Sequence, residues 1–236
     1  MAVREVHGDQ AAVKRVGRIA FSTAASAVLL LTACSSASPP EWQADAKEAL
    51  DAAVAAYLVG NTRVATVEFG VARRELASTG RVDQVALAEL TRCAVHVASL
   101  DIGPCAEFEQ LRADATAAQR AYADYLSGRV QASETALLPE PYRALAARDL
   151  SGDAATAALK SIDDPLSRLI ATGVLFQGGR ANPAAITLAA DTASAQGWRR
   201  PLLAWLGVQL ALAQKTGDQT GAEQLRRRIA LVEDTK

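Results

Sequence analysis

The residues of this chain able to do covalent or proton chemistry are few. Its cysteines are Cys34, Cys93 and Cys105, and its two histidines are His7 and His96. A Ser/His/Asp triad and most catalytic zinc sites draw on imidazole, and His96, the one histidine beyond the leader, cannot supply a multi-histidine ligand set. It lies between Val95 and Val97 in a helical pattern, where a packed or partly exposed side chain is the expectation. Asp163 and Asp164 form the obvious acidic pair, and carboxylate hydrolases need only two well-placed acids. Asp164 precedes Pro165, however, and reads as a helix N-cap. The sequence holds no Gly-x-Ser-x-Gly, Ser-x-x-Lys, His-Glu-x-x-His or phosphate-cradling glycine loop. No catalytic residue, metal ligand set or cofactor site is expected.

Cys34 closes a segment with the three-part shape of an export signal. Lys14, Arg15 and Arg18 precede an uncharged apolar run from Ile19 to Leu31. The run is shorter than the about 20 apolar residues that span a bilayer. Leu31-Thr32-Ala33-Cys34 resembles the lipobox of bacterial lipoproteins. The resemblance implies that residues 1–33 are a signal peptide, and that the Cys34 sulfur takes a diacylglycerol and becomes the anchored N-terminus. Ser35 stands where such lipoproteins carry the aspartate of inner-membrane retention, which implies the periplasmic face of the outer membrane. Glu5 and Asp9 are foreign to such a leader, and translation from near Val13 would remove them. Residues 34–40 are small, polar and proline-ended, and read as a flexible tether.

Of 25 basic and 26 acidic residues, four and two lie in residues 1–33, so the remainder carries a formal net charge of −3. That balance excludes the concentrated basic face that nucleic acid demands. Alanine and leucine dominate while aromatic and β-branched residues are sparse, which favours helix over strand. The expected fold class is all-α.

The elements are most legible near the C-terminus. Pro165, Pro183 and Pro201 fall eighteen residues apart, each where a helix should begin, since proline suits the first helical turn. Asp164 and Asn182 stand as N-caps before two of them, and Gly179 and Gly197 close the first two blocks. Apolar residues recur at helical spacing in each block, as in Leu166, Leu169, Ile170 and Val174. Short turns make successive helices antiparallel neighbours. Two such helices approach the length of a tetratricopeptide unit, and residues 141–236 resemble that family. Gly179 with Ala184, Gly217 with Ala222, and Leu206-Gly207 carry the likeness. It implies an array of antiparallel helix pairs, a tetratricopeptide-like solenoid or right-angled bundle.

Residues 41–127 read as a less regular helical region. One stripe runs from Trp42 to Leu58 and ends at Gly60, a second from Val64 to Leu76 ends at Gly80, and a third runs from Val82 to Leu100. Asp101-Ile102-Gly103-Pro104 breaks the third. Helical segments around Phe108 and from Ala118 to Leu126 follow, and residues 128–140 are expected as a hinge loop. The whole amounts to nine or ten helices. With Cys34 lipidated, Cys93 and Cys105 are an even pair in an oxidising compartment. A disulfide is the expectation, with two buried thiols or a redox pair as alternatives. Disulfide Cα atoms must approach within about 7 Å, which requires the third helix to end early and residues near Val97–Pro104 to fold back.

These features point to a lipid-anchored, non-catalytic module that binds another envelope protein. One alternative is a carboxylate enzyme or accessory acting on cell-wall material. Another is a small-molecule binder in which Tyr122, Tyr125, Trp198 and Trp205 line a pocket. The Arg199-Arg200 and Arg226-Arg227-Arg228 clusters read as solvated helix faces or as seats for an acidic group.

Overall fold

The structure is a computed structural model that describes residues 40–147 and 150–234. Residues 1–39, with the expected signal peptide and Cys34 among them, lie outside the described residues. Among the described residues the chain forms eleven α-helices and one 3-10 helix, with no strand. In order these are α1 (Glu41–Leu58), α2 (Thr62–Ala77), α3 (Val82–Ala98), α4 (Ala106–Glu109), α5 (Ala117–Leu126), the 3-10 helix (Ala132–Leu137), α6 (Glu140–Ala147), α7 (Gly152–Lys160), α8 (Pro165–Gln177), α9 (Pro183–Ala195), α10 (Arg199–Thr216) and α11 (Gln219–Glu233). The fold is an all-α helical array.

The eighteen-residue beat is present in the backbone. Pro165 and Pro183 open α8 and α9, with Asp164 accepting from Ser167 N at 2.7 Å and Asn182 from Ala185 N at 2.8 Å. Gly179 and Gly197 both adopt φ +66° just past those helices, the left-handed turn that glycine takes without steric cost. The third block departs slightly: α10 starts at Arg199, two residues ahead of Pro201 and without a side-chain cap. Proline is still tolerated there because the first-turn N–H groups have no intrahelical partner.

Packing runs from neighbour to neighbour. The helix α1 lies along α2, α2 against α3, α8 against α9, and α10 between α9 and α11. The two halves meet where α3 crosses α8. Gly173 permits that crossing, because a Cβ there would meet the carbonyl oxygen of Val97. Trp205 of α10, fully buried, donates its indole N–H to the Ala98 carbonyl at 3.1 Å, satisfying an orphan acceptor at the end of α3. One apolar cluster extends from Ala86 to Leu206 through Phe108, Leu126, Leu138 and Leu169. The stretch 128–140, expected as a hinge, contains the 3-10 helix and buries Leu138 completely.

Candidate functional site

The C-terminal half of α3 presents Glu89, Arg92, Cys93 and His96 on one flank. Their spacing of three and four residues stacks them along a single helical face. The helix stops at Ala98, and Leu100 takes φ +57°, the one non-glycine residue with positive φ among the described residues. A left-handed leucine costs roughly 1 to 2 kcal/mol. Its consequence is that the chain doubles back: Asp101 N donates to the His96 carbonyl at 3.0 Å, and Leu100 N to that of Val97 at 3.1 Å. Residues 101–105 then run beside α3, and Cys105 comes to 5.8 Å from Cys93, Cα to Cα, at disulfide distance. The helix did not need to end far short of Leu100. The reversal at Leu100, followed by Gly103-Pro104, provides the fold-back.

Two cavities of about 300 and 360 Å³ flank this ridge and share Glu89, Arg92, His96 and Glu107. One reaches toward the Cys93–Cys105 pair and Phe108, the other toward Tyr57, Thr62, Thr66 and Phe69. Together they make a cleft between α2, α3 and the returning loop. Its charges are mutually paired. Glu89, only 7% exposed, receives Arg92 Nη2 at 2.8 Å and Arg73 Nε at 3.5 Å. Arg92 Nη2 also reaches Glu107 at 2.7 Å. A hydrogen bond from its own backbone N–H, then the Arg92 charge, holds the Glu107 carboxyl below the usual carboxylate range.

His96 completes the ridge. Its Nδ1 is 2.7 Å from Asp101 Oδ2 and its ring stacks on Tyr57 with centroids 4.5 Å apart. Burial disfavours the imidazolium and sets His96 below its ordinary value, the Asp101 charge opposing that shift. In the neutral ring the Nδ1–H donates to Asp101, leaving Nε2 as an acceptor. The Tyr57 ring is also covered by Arg200, whose guanidinium sits 4.3 Å from the ring centroid and donates to the Tyr57 carbonyl at 2.8 Å. Burial, then the Asp101 charge, pushes the Tyr57 hydroxyl up to about 12. That hydroxyl faces Ser99 and Asp101, yet neither Tyr57 Oη nor Ser99 Oγ completes a well-formed hydrogen bond with the described residues. Two buried hydroxyls with unused capacity can be completed by a bound group or an ordered water.

The structure distributes the residues singled out by sequence unevenly. Cys93, Cys105 and His96 come together in the cleft. Asp164 serves as the N-cap of α8, and Asp163 is exposed beside it. Tyr122 and Tyr125 stack with Tyr142 at centroid distances of 5.7 and 4.9 Å and with each other at 6.3 Å, a packing cluster that sequence spacing had half revealed. Trp205 is core, while Trp198 borders a separate cavity with Leu58 and Leu166. Arg200 meets the edge of the cleft through Tyr57 and Thr62. Glu89, Arg92 and Glu107 had escaped sequence reading. The signal for the first two was present as an acidic and a basic residue three apart on the third helix.

Among the described residues no group of histidine, cysteine and acidic side chains has the arrangement of a metal site. The fold and the cleft therefore define an all-α helical array with a self-paired charged recess. Compared with protein-family models, curated proteins and solved structures, the chain finds no match.

Proposed function

We propose that this chain is a lipid-anchored, periplasm-facing helical-repeat module of tetratricopeptide-like design that binds another envelope protein, without catalysis, through the cleft between α2 and α3. The support is chiefly the state of the charged groups in that cleft. Arg73, Arg92, Glu89 and Glu107 hold one another, and His96 is held by Asp101. Such a surface is preorganised for recognition, so little ordering cost is left for binding. Stacked helices present recesses of this kind without reactive side chains. The anchoring part rests on the lipobox-like Leu31–Cys34 and the export-signal shape ahead of it.

Two measurements test the proposal. Cys34→Ser should abolish incorporation of a clickable fatty acid and leave the precursor uncleaved; continued labelling would remove the anchor. A photo-crosslinking residue at Thr66, exposed at the cleft rim, should give one discrete protein adduct in intact envelopes that disappears with Glu107→Arg. The same residue at Glu223, exposed on α11, should give none. Absence of an adduct at Thr66 would remove the cleft as the binding site.

The carboxylate-enzyme reading draws on one observation. Glu89 and Glu107 both bond Arg92 Nη2, so their oxygens lie no farther apart than the roughly 5.5 Å of a retaining glycosidase pair. Such chemistry needs one acid kept protonated, and Glu107 is shifted the opposite way. Loss of activity on cell-wall material in both Glu89→Gln and Glu107→Gln would revive it.

A further inference from the structure

At the opposite end of α1 from Tyr57 lies a second recess of different character. It is a mostly apolar groove of about 300 Å³ bordered by Trp42, Lys47, Leu50, Leu76 and Leu87, where the start of α1 meets the end of α2 and the start of α3. Leu87 is 50% exposed and Trp42 and Leu50 are half-buried. On a helical wheel Gln43, Lys47 and Leu50 occupy one flank of α1, while Glu41, Asp45 and Glu48 fall on the other. The apolar opening is thus free of the acidic stripe.

We infer that this groove is the face the protein lays against the bilayer that carries its anchor, with Trp42 and Leu87 entering the headgroup region. The inference rests on the lipid-anchored reading, because the occupant is named by the length of the tether. Seven residue steps separate Cys34 from Glu41, and an extended chain spans at most about 3.6 Å per residue. The start of α1 cannot leave the membrane by more than about 25 Å, so the end of the molecule bearing Trp42 is confined beside the lipid. Tethering keeps the local lipid concentration high, and a small apolar contact then suffices. Tryptophan suits the interface because its ring is apolar and its N–H polar, and Lys47, whose ammonium is paired with exposed Asp51 one turn along α1, lays its apolar stem on the groove wall.

The test uses the full lipidated protein on vesicles of phosphatidylethanolamine and phosphatidylglycerol containing a lipid spin-labelled near the headgroup. Leu87→Cys carries an environment-sensitive fluorophore, and Val59→Cys, 47% exposed just past the far end of α1, is the reference. Loss of most fluorescence at position 87 with none at 59 supports the inference. Co-flotation with vesicles but unquenched label at 87 overturns it while leaving the anchor intact, and a protein crosslink from that position would reassign the groove to a protein partner. Failure to co-float overturns the anchored reading and this inference with it.

Discussion

Glu89 carries the heaviest electrostatic obligation of any single side chain in the cleft. It is buried and ionic, so its charge must be matched from within. Removing one partner is therefore worse than removing the charge. Arg92→Met, which leaves Glu89 with Arg73 at 3.5 Å, should cost about 3 kcal/mol. Glu89→Gln, which keeps a hydrogen-bonding group of the same shape, should cost about 1 kcal/mol. Urea denaturation of both variants checks that order, and equal losses would mean the pairing is mere surface electrostatics. His96 makes a separate prediction. Its folded-state value lies below the ordinary 6.5, so as pH falls the unfolded chain binds the proton first. Stability is then full above about pH 6.5 and declines on acidification through the window below it. Glu107, also depressed, loses its contribution only lower, below its ordinary 4.5. Thermal melts between about pH 5 and 7.5 should show the decline, and His96→Gln should flatten it; an unchanged slope in that variant would assign the effect elsewhere.

Helices and their boundaries were legible wherever local chemistry decides them. Pro165, Pro183, Asp164, Asn182, Gly179 and Gly197 mark starts and stops through capping and backbone preference alone, which a sequence states directly, while Pro201 falls two residues inside α10. Pro183→Ala should accordingly be mild, whereas Val174→Pro, in the buried middle of α8, removes an internal hydrogen bond and should cost about 3 kcal/mol or more. Far-UV circular dichroism melts compare them, and equal tolerance would refute the helical phase. The cleft was far less legible, because contacts distant in sequence build it. Arg200 reaches Tyr57 across 143 residues, and no spacing rule encodes that. The left-handed Leu100 was equally hidden, since leucine is not the residue that signals such a turn. Gly173 belongs to the same class: within α8 it looks like a helix-weakening residue, yet it is where Val97 of α3 approaches. Gly173→Ala improves helix propensity but should destabilise the protein by about 1 to 3 kcal/mol through overpacking, and a rise in melting temperature would show that the crossing has slack.

The described residues join interfaces between successive helices to longer-range ones, chiefly α3 against α8, and the first and last described helices are not equally committed. Beyond Leu206 no residue of α10 is buried, and α11 buries only Ala222, leaving Leu225, Ile229 and Val232 half-covered. The helix α1 is different: it buries Ala53, Tyr57 and Leu58, packs along α2 and touches both α3 and α10. It also joins the two proposed functional surfaces, since its eighteen residues set the Trp42 groove and the Tyr57 edge of the cleft about 25 Å apart along one rigid element. In an array stabilised by nearest-neighbour contacts, loss of a terminal helix removes one interface and spares the rest. A chain ending after Gly217 should therefore keep a single cooperative unfolding transition, with its melting temperature lowered by roughly 5 to 10 °C. A chain in which residues 41–60 are deleted and the rest is kept should lose the transition altogether, because Val95, Arg200 and Leu166 forfeit their partners together. Differential scanning calorimetry of the two truncations decides between an array and one indivisible core. If the cut after Gly217 also abolished the transition, the energy would be shared across the whole chain, and the reading of this protein as stacked helices with separable binding faces would fail with it.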